Sequence, residues 1–369
     1  MLRYLTMFKF YFNKLRFCLE IIISLTLGIT CVYNYLNSTT SVCFLISCNN
    51  AATTSIKSAF PRLIAIACLI SKITDMYTNL TYYPEYNKKI EEYELYFPII
   101  VSKKSSRNIF IIFIGFAYIS IIVPLNILRL YLIYYNLQNI NIFIFFTMMY
   151  IQNLSICLIE IYFIVRCFGL YQKFQIINEE LALLKSETIS KNKYPVVLQN
   201  EIHSRIINNP QLHTLANSIE LLRMKHQFVR SVLRDLNKLY GTQMGSSLVY
   251  LFILILFDIY GEVITKNSKT RSTIFIYGWL LQYGFRCLAI IITTHFTTKQ
   301  AYTTKTLIAD INNRYLDETT KEELYLFFNQ IYRHSVEFTS CDLFTLHPHL
   351  ITTAFATGTT YLVVLLQIH

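Results

Sequence analysis

The sequence predicts an all-α membrane protein with seven transmembrane helices, and three observations support this fold class. Hydrophobic residues make up 54% of the 369 positions, and the mean hydropathy is +0.40. Only 15% of the residues are charged, whereas soluble domains carry about 25%. Long apolar runs recur along the chain, and a helix needs about 20 such residues to cross about 30 Å of hydrocarbon. Helices are expected because lipid leaves backbone polar groups no external partner.

Seven segments are long and apolar enough, and together they predict one transmembrane domain over residues 1–369. The second segment is the weakest, because Arg62, Lys72 and Asp75 interrupt it. The predicted spans are Phe17–Tyr35, Ser58–Leu80, Asn108–Tyr135, Asn141–Val165, Gln243–Ile264, Thr273–Thr294 and His347–Ile368.

The basic residues are distributed asymmetrically around these spans. Of the 33 Lys and Arg residues, 25 lie in segments on one predicted side, four lie on the other side, and four lie inside spans. By the positive-inside rule the N-terminus is cytoplasmic and the C-terminus is extracellular. The net charge of +11 therefore reflects topology. Nucleic-acid binding is a poor explanation, because the basic residues alternate with spans and do not form one patch.

The first predicted outer loop carries two features of an extracellular segment. Asn37 begins the glycosylation sequon Asn-Ser-Thr. Cys43 and Cys48 share the loop, where a disulfide is chemically permitted, and the sequence leaves open whether they form one. Most of the other seven cysteines lie in or near apolar segments, which predicts buried free thiols.

The two longest cytoplasmic segments have helical periodicity. Apolar residues in 166–242 recur at the spacing of two amphipathic helices, separated by the polar stretch Ser186–Asn209. Segment 295–346 has a similar stripe that runs from Leu324 to Phe338. These stripes predict a cytoplasmic layer of helices that pack against one another and hold subunits together.

Motifs of enzymes are missing from the sequence. The chain has no GxSxG, no HExxH and no Gly-rich phosphate loop. His347 and His349 flank Pro348, but no third ligand lies at a useful spacing, and the start of a helix explains this pair better. The sequence therefore predicts no enzyme activity, no metal and no cofactor.

The last predicted span ends in a recognisable pattern. Thr360-Tyr361 is followed by five hydrophobic residues, then Gln367 and Ile368. This pattern resembles the C-terminal signature of insect gustatory receptors, with Ile368 in the place of the usual Phe. Three further stretches resemble elements of the same family, namely Lys173-Phe174, Leu236–Gly241 and Phe338–Phe344.

The resemblance implies a seven-helix insect chemoreceptor channel. Such proteins form tetrameric ligand-gated cation channels in which the last helix, here 347–368, lines a central pore and cytoplasmic helices anchor the subunits. It implies a tastant-gated non-selective cation channel for sugars or bitter plant compounds. The chain would be a multi-pass plasma-membrane protein of gustatory receptor neurons, in a homotetramer or a heterotetramer with other gustatory receptors. An insect odorant receptor and a secondary transporter are the alternatives.

The spacing of the last span places candidate pore residues together. Thr360, Val364 and Gln367 lie at i, i+4 and i+7, so they share one helix face. In a tetramer, Gln367 would form a ring of amides, and the Val364 ring would close the path by dewetting. Ile368 would add a second constriction. The alternative is that Gln367 lies at the membrane interface and bonds a neighbouring helix.

The resemblance also implies a ligand pocket in the outer half of each subunit. Charged residues inside membranes are costly, so they are usually paired or functional. Aromatic and polar side chains at similar predicted depth could stack on a sugar ring or a planar alkaloid. The alternative is an ion pair of Arg129 with either acidic candidate. The six candidate ligand residues are Trp279, Gln282, Tyr283, Asp258, Glu262 and Arg129.

Overall fold

The computed structural model is an all-helical protein, as predicted. It describes residues 2–45, 51–97, 101–193, 212–265, 273–311, 313–314, 316–333, 336–340 and 343–368. Nine helices and one two-stranded antiparallel hairpin lie in these ranges. They are α1 (Leu2–Leu45), α2 (Ala51–Thr81), α3 (Tyr83–Tyr96), α4 (Val101–Leu137), α5 (Ile140–Lys193), α6 (Leu212–Thr265), α7 (Thr273–Ala309), α8 (Glu318–Arg333), β1 (Thr339–Ser340), β2 (Phe344–Thr345) and α9 (His349–Ile368).

Each predicted span falls almost entirely within one helix. Among the described residues, five helices are long and apolar enough to cross a membrane, and these are α1, α4, α5, α6 and α7. The other two predicted spans lie in α2 and α9. The second span, which three charged residues interrupt, is thus helical along its whole length.

Helices α5 and α6 are much longer than the membrane is thick. Each has 54 residues, or about 80 Å at the rise of an α-helix. The two amphipathic helices predicted in 166–242 are therefore not separate elements, because they continue α5 and α6 without a break. The first part of the predicted polar stretch, as far as Lys193, belongs to α5.

The parts of α5 and α6 that extend beyond the predicted spans pack around a shared apolar core. Phe174 of α5, Leu236 of α6 and Phe327 of α8 are each fully buried in one cluster. The predicted stripes therefore do pack against one another within the chain. Phe338 belongs to this cluster but not to a helix: α8 ends five residues earlier, and the Phe338 ring meets the Phe163 ring edge-on.

Sequence analysis missed helix α3. A proline lies in its first turn, where the missing N–H costs nothing. Lys89 of α3 pairs with Glu85 one turn earlier, and its Nζ lies 2.6 Å from the Asp235 carboxylate of α6. Pairs of opposite charge at i,i+4, such as Glu85 and Lys89, support helices, whereas hydropathy does not detect a helix of this polar composition.

The segment after the first span, predicted as a loop, is helical as far as Leu45, so Asn37 lies on a helix. Its glycosylation stays a prediction. Hydroxyls there bond carbonyls of the preceding turn, and Arg62 Nε donates to Ser38 Oγ at 2.7 Å. These bonds let a polar stretch continue the helix. Cys43 is disulfide-bonded, and Cys48 lies outside the described residues. The cysteines described as free thiols are Cys31, Cys68, Cys157, Cys167 and Cys287, the first four of them buried.

Candidate functional site

Helix α9 packs on the rest of the chain through one narrow stripe. Ile351, Ala354, Gly358 and Leu362 lie at i, i+3, i+7 and i+11 and are at least partly buried. A Cβ at Gly358 would lie 2.8 Å from Leu256 Cδ2 of α6. Gly358 therefore lies at a close contact between α9 and α6.

The candidate pore residues lie away from this stripe. Thr360, Val364 and Gln367 are exposed, Val364 at 46%. In a helix of 3.6 residues per turn, the face that these three residues share is rotated by roughly 200° from the packed stripe. It therefore lies on nearly the opposite side of α9. The Ile368 side chain lies outside the described residues. Tyr361, the second residue of the signature, is 62% exposed.

The hairpin that precedes α9 is locked onto α6. The Asn237 side-chain amide donates to Thr339 Oγ1 at 3.0 Å, and the Thr339 N–H donates to Asn237 Oδ1 at 3.0 Å. A Cβ at Gly241 would lie 2.7 Å from Thr339 O, and one at Gly245 only 1.6 Å from Ser340 Oγ. Two of the family-like stretches, Leu236–Gly241 and Phe338–Phe344, are therefore direct neighbours.

The other side of the hairpin is held by α7. The buried Thr294 hydroxyl donates to the Leu346 carbonyl at 3.1 Å, three residues before α9 begins. The start of α9 is thus fixed by one polar lock on α6 and one on α7.

A buried ion pair joins α5 to α7 at the centre of the bundle. Both Glu160 and Arg286 have fully buried side chains. Arg286 Nη2 and Nε donate to the two Glu160 carboxylate oxygens at 2.7 and 2.8 Å, and Nη1 donates to Asn153 Oδ1 at 2.8 Å. From α6, the Ser247 hydroxyl bonds Glu160 and the Tyr250 hydroxyl bonds Asn153. Bidentate, charge-assisted bonds are among the strongest in proteins.

Sequence analysis did not identify this ion pair. A signal was available: Glu160 is the one acidic residue of the span Asn141–Val165, and Arg286 is the one basic residue of the span Thr273–Thr294. Both lie in the cytoplasmic half of their predicted spans. Charges at matching depth in lipid are expected to pair.

The outer candidates divide into an aromatic group and a polar group. The Arg129 guanidinium lies over the Phe275 and Trp279 rings, 5.3 and 5.8 Å from their centroids. The Trp279 ring is also 6.1 Å from the Phe60 ring. This arrangement is a cation–π cluster, which joins α4 and α7 and uses two aromatic residues that the sequence did not single out.

The polar candidates are buried beneath this cluster. Tyr283 and Asp258 are buried close to one another, and Gln282 is buried as well. Within the described part of the chain, neither polar atom of the Gln282 amide has a hydrogen-bond partner. A buried amide without a partner costs about 1–3 kcal/mol, and a polar ligand or water could recover that free energy. The Glu262 side chain lies outside the described residues.

A small cavity lies deeper, between α2, α5 and α6. Gln243 and Tyr250 line it, and the Gln243 amide donates to Ser71 Oγ at 2.7 Å. None of the six predicted ligand residues is in its lining. Its full lining is Ala67, Ser71, Ile156, Gln243, Met244, Ser246, Ser247 and Tyr250. The cavity thus adjoins the polar network of the buried ion pair.

Comparison with known proteins agrees with this architecture. The insect olfactory receptor OR5 from Machilis hrabei superposes with a TM-score of 0.61 at 11% identity, covering 94% of this chain and 88% of that chain. OR5 in complex with eugenol gives a TM-score of 0.62 at 11% identity, covering 97% and 90%. No curated protein matches the sequence. Residues 1–369 match the family described as 7tm chemosensory receptor. Because this match extends over the whole chain, the protein belongs to the 7tm chemosensory receptor family.

Proposed function

We propose that this chain is a gustatory receptor that acts as a tastant-gated, non-selective cation channel in the plasma membrane. The observation that carries the proposal is the end of α9, where a Thr-Tyr…Gln signature coincides with an exposed polar face. That face points away from the protomer's own bundle. The exposed Gln367 amide would be costly beside lipid, which offers it no hydrogen-bond partner, whereas the Thr360 hydroxyl already bonds the Ala356 carbonyl. A water-filled pore between subunits would hydrate both side chains.

The same geometry supports assembly of several copies around one axis, and the family resemblance implies four. Helix α9 leaves most of its surface uncovered in the protomer, so neighbouring subunits would cover its flanks. Gln367 would then ring the outer end of the pore, and the Val364 ring one turn below would close it by dewetting. The assembly would be a homotetramer or a heterotetramer with other gustatory receptors.

Gating follows from the two locks on the hairpin. A tastant that prefers one arrangement of the bundle shifts the population toward it. Displacement of α6 or α7 then moves the start of α9 through the Asn237–Thr339 and Thr294–Leu346 bonds. The ligand would bind in the outer half, against Trp279 and Arg129, with Gln282 as a hydrogen-bonding group.

The pore assignment is tested by whole-cell current in cells that express this chain, during application of sugars and bitter compounds. We expect a rapid cation current whose ion permeability changes in Thr360→Ala and Gln367→Ala. Thr359→Ala is the matched control, because Thr359 is exposed but is rotated by about 100° from Thr360. Unchanged currents in Gln367→Ala at equal surface expression would show that the pore lies elsewhere.

The ligand site is tested by concentration–response curves for whichever compound activates the channel. Trp279→Ala is expected to raise the half-maximal concentration about tenfold, the loss of roughly 1.4 kcal/mol of stacking. Leu281→Ala is the control, because Leu281 lies on the same helix with 65% of its surface exposed. Equal shifts in both variants would argue against a site at Trp279.

The rival functions give different results in the same cells. An odorant receptor would respond to volatile odorants and not to the tastants. A transporter would accumulate labelled substrate without a pore current and need not be tetrameric, since its site lies within one chain. The fold that this chain shares with OR5 supports the odorant reading, whereas the Thr-Tyr…Gln signature favours the gustatory one.

A further inference from the structure

Three histidines meet where α7 passes the start of α9. His295 lies on α7, and His347 and His349 lie on either side of Pro348. The His295 and His347 ring centroids are 5.1 Å apart with ring planes at 85°, and those of His347 and His349 are 5.4 Å apart with planes at 17°. The sequence separates His295 from His347 by 52 positions, so only the fold brings them together.

The position of this pair is fixed by its neighbours. Thr294 and Leu346, which directly precede the two histidines, are hydrogen-bonded at 3.1 Å and are both buried. His295 is partly exposed and His347 is exposed, so both imidazoles lie at the surface of the protomer. The pair is therefore held side by side on a rigid support without being sealed inside the protein.

The spacing of the two rings suits a shared transition-metal ion. Zinc lies 2.0–2.1 Å from an imidazole nitrogen, so two rings on one tetrahedral ion have centroids about 5 Å apart. Imidazole suits Zn²⁺ and Cu²⁺ better than the hard cations Mg²⁺ and Ca²⁺. His347 Nδ1 accepts the His349 N–H at 3.4 Å, which is a long bond. Coordination of the ion at His347 Nε2 moves the imidazole proton to Nδ1. Only this long hydrogen bond is lost as a result.

We propose that His295 and His347 form a two-imidazole site for a divalent transition-metal ion, with water completing the coordination. Among the described residues, no group of three or more His, Cys, Asp or Glu is placed to hold a metal. Lys299, one turn further along α7, is close enough to interact electrostatically with His295 and opposes a cation. With two protein ligands and a nearby cation, the site is expected to bind its ion weakly and reversibly.

The bound ion would tie the start of α9 to α7. This consequence rests on the proposed channel function, because it is the movement of α9 that the metal would restrain. Binding of the ion does not depend on that function. It can therefore be measured on the purified chain without any tastant, and failure of one proposal leaves the other intact.

The test uses the full chain in detergent micelles, purified with an affinity tag that contains no histidine. Cu²⁺ is titrated, and electron spin resonance counts the imidazole nitrogens on the bound ion. We expect one site per chain with two imidazoles. His295→Ala and His347→Ala should each leave one imidazole and weaken binding at least about tenfold, since even loss of an outer-shell partner costs 10–100-fold.

His349→Ala is the matched control, because the His349 ring stacks nearly parallel on the His347 ring and is not a ligand in the proposed site. His295→Asn repeats the test with a polar side chain of similar size, and thermal melting establishes that each variant is folded. Two imidazoles retained in folded His295→Ala and His295→Asn, or an equal loss in His349→Ala, would overturn the proposed site. A separate recording of Zn²⁺ block then addresses its effect on gating.

Discussion

The bundle core and helix α9 are stabilised in opposite ways. In the core, Arg286 and Glu160 are fully buried and bond one another through two pairs of atoms. Helix α9 contacts the bundle through one stripe, while Tyr361 and Val363 are 62% and 54% exposed. The core is therefore complete within one chain. The exposed side chains of helix α9 are covered only by lipid or by neighbouring subunits. Truncation of a side chain should therefore have different consequences in the two regions.

The largest effect is expected from breaking the core ion pair. Arg286→Ala leaves the Glu160 carboxylate buried without its partner, which costs about 3–5 kcal/mol. The expected result is loss of surface expression and a sharply lower melting temperature in detergent. A matched double variant, Glu160→Leu with Arg286→Met, replaces the pair by apolar side chains of similar size and should recover much of the stability. A double variant as unstable as Arg286→Ala would contradict this account.

The next effect concerns the contact between the core and the segment that carries α9. In Gly245→Ala the new methyl group would overlap Ser340 Oγ, and such overpacking costs about 1–3 kcal/mol. Thermal melting should show a clear decrease. Gly169→Ala is the control, because nothing lies within 4 Å of a Cβ at that helical position, and it should stabilise by up to about 1 kcal/mol. Similar melting of both variants would show that the hairpin does not press on α6.

The effect expected on helix α8 is intermediate, and it comes from the N-terminal cap that stabilises this helix. Asp317 accepts bonds from the Thr320 N–H at 3.1 Å and from the Thr320 hydroxyl at 2.6 Å. Asp317→Ala should destabilise by about 1 kcal/mol. Burial raises the pKa of this carboxyl, but bonds from Thr319 and Thr320 outweigh that effect and leave the pKa below its ordinary value.

The pH dependence of this cap follows from that direction. A carboxyl whose pKa is lowered on folding stabilises the folded state above its unfolded pKa of about 3.9, and this contribution is lost as the pH falls below it. The melting difference between wild type and Asp317→Ala should therefore be constant near neutral pH and shrink in acid. A difference that grew on acidification would contradict the assigned bonds.

The smallest effect on the isolated protomer is expected on α9. Val363→Ala should change its melting temperature little, since exposed positions usually contribute less than about 0.5 kcal/mol. The same variant should weaken assembly, which native mass spectrometry of the membrane-extracted protein measures. Leu251→Ala is the contrast, because Leu251 is fully buried in the core and its truncation costs about 2–5 kcal/mol. Equal destabilisation by the two variants would remove the distinction between the regions.

The parts of the fold that could be predicted from the sequence are the helices that cross the membrane. Every predicted span lies in a helix because about 20 apolar residues must be helical to cross the membrane. The ends of the helices were predicted less well, because hydropathy marks where lipid ends and not where a helix ends. Helix α5 continues through a polar stretch to Lys193, and α1 continues through Asn37 to Leu45.

The all-α class, the alternating charge, the family signature and the shared face of Thr360, Val364 and Gln367 can be read from the amino-acid sequence. Each of these depends on local composition or on the period of one helix. The contacts of Glu160 with Arg286, of Asn237 with Thr339 and of His295 with His347 become visible only when the helices are packed together. The first two pairs are separated by 126 and 102 positions. Such pairings depend on the rotation and relative depth of different helices, which local periodicity does not encode.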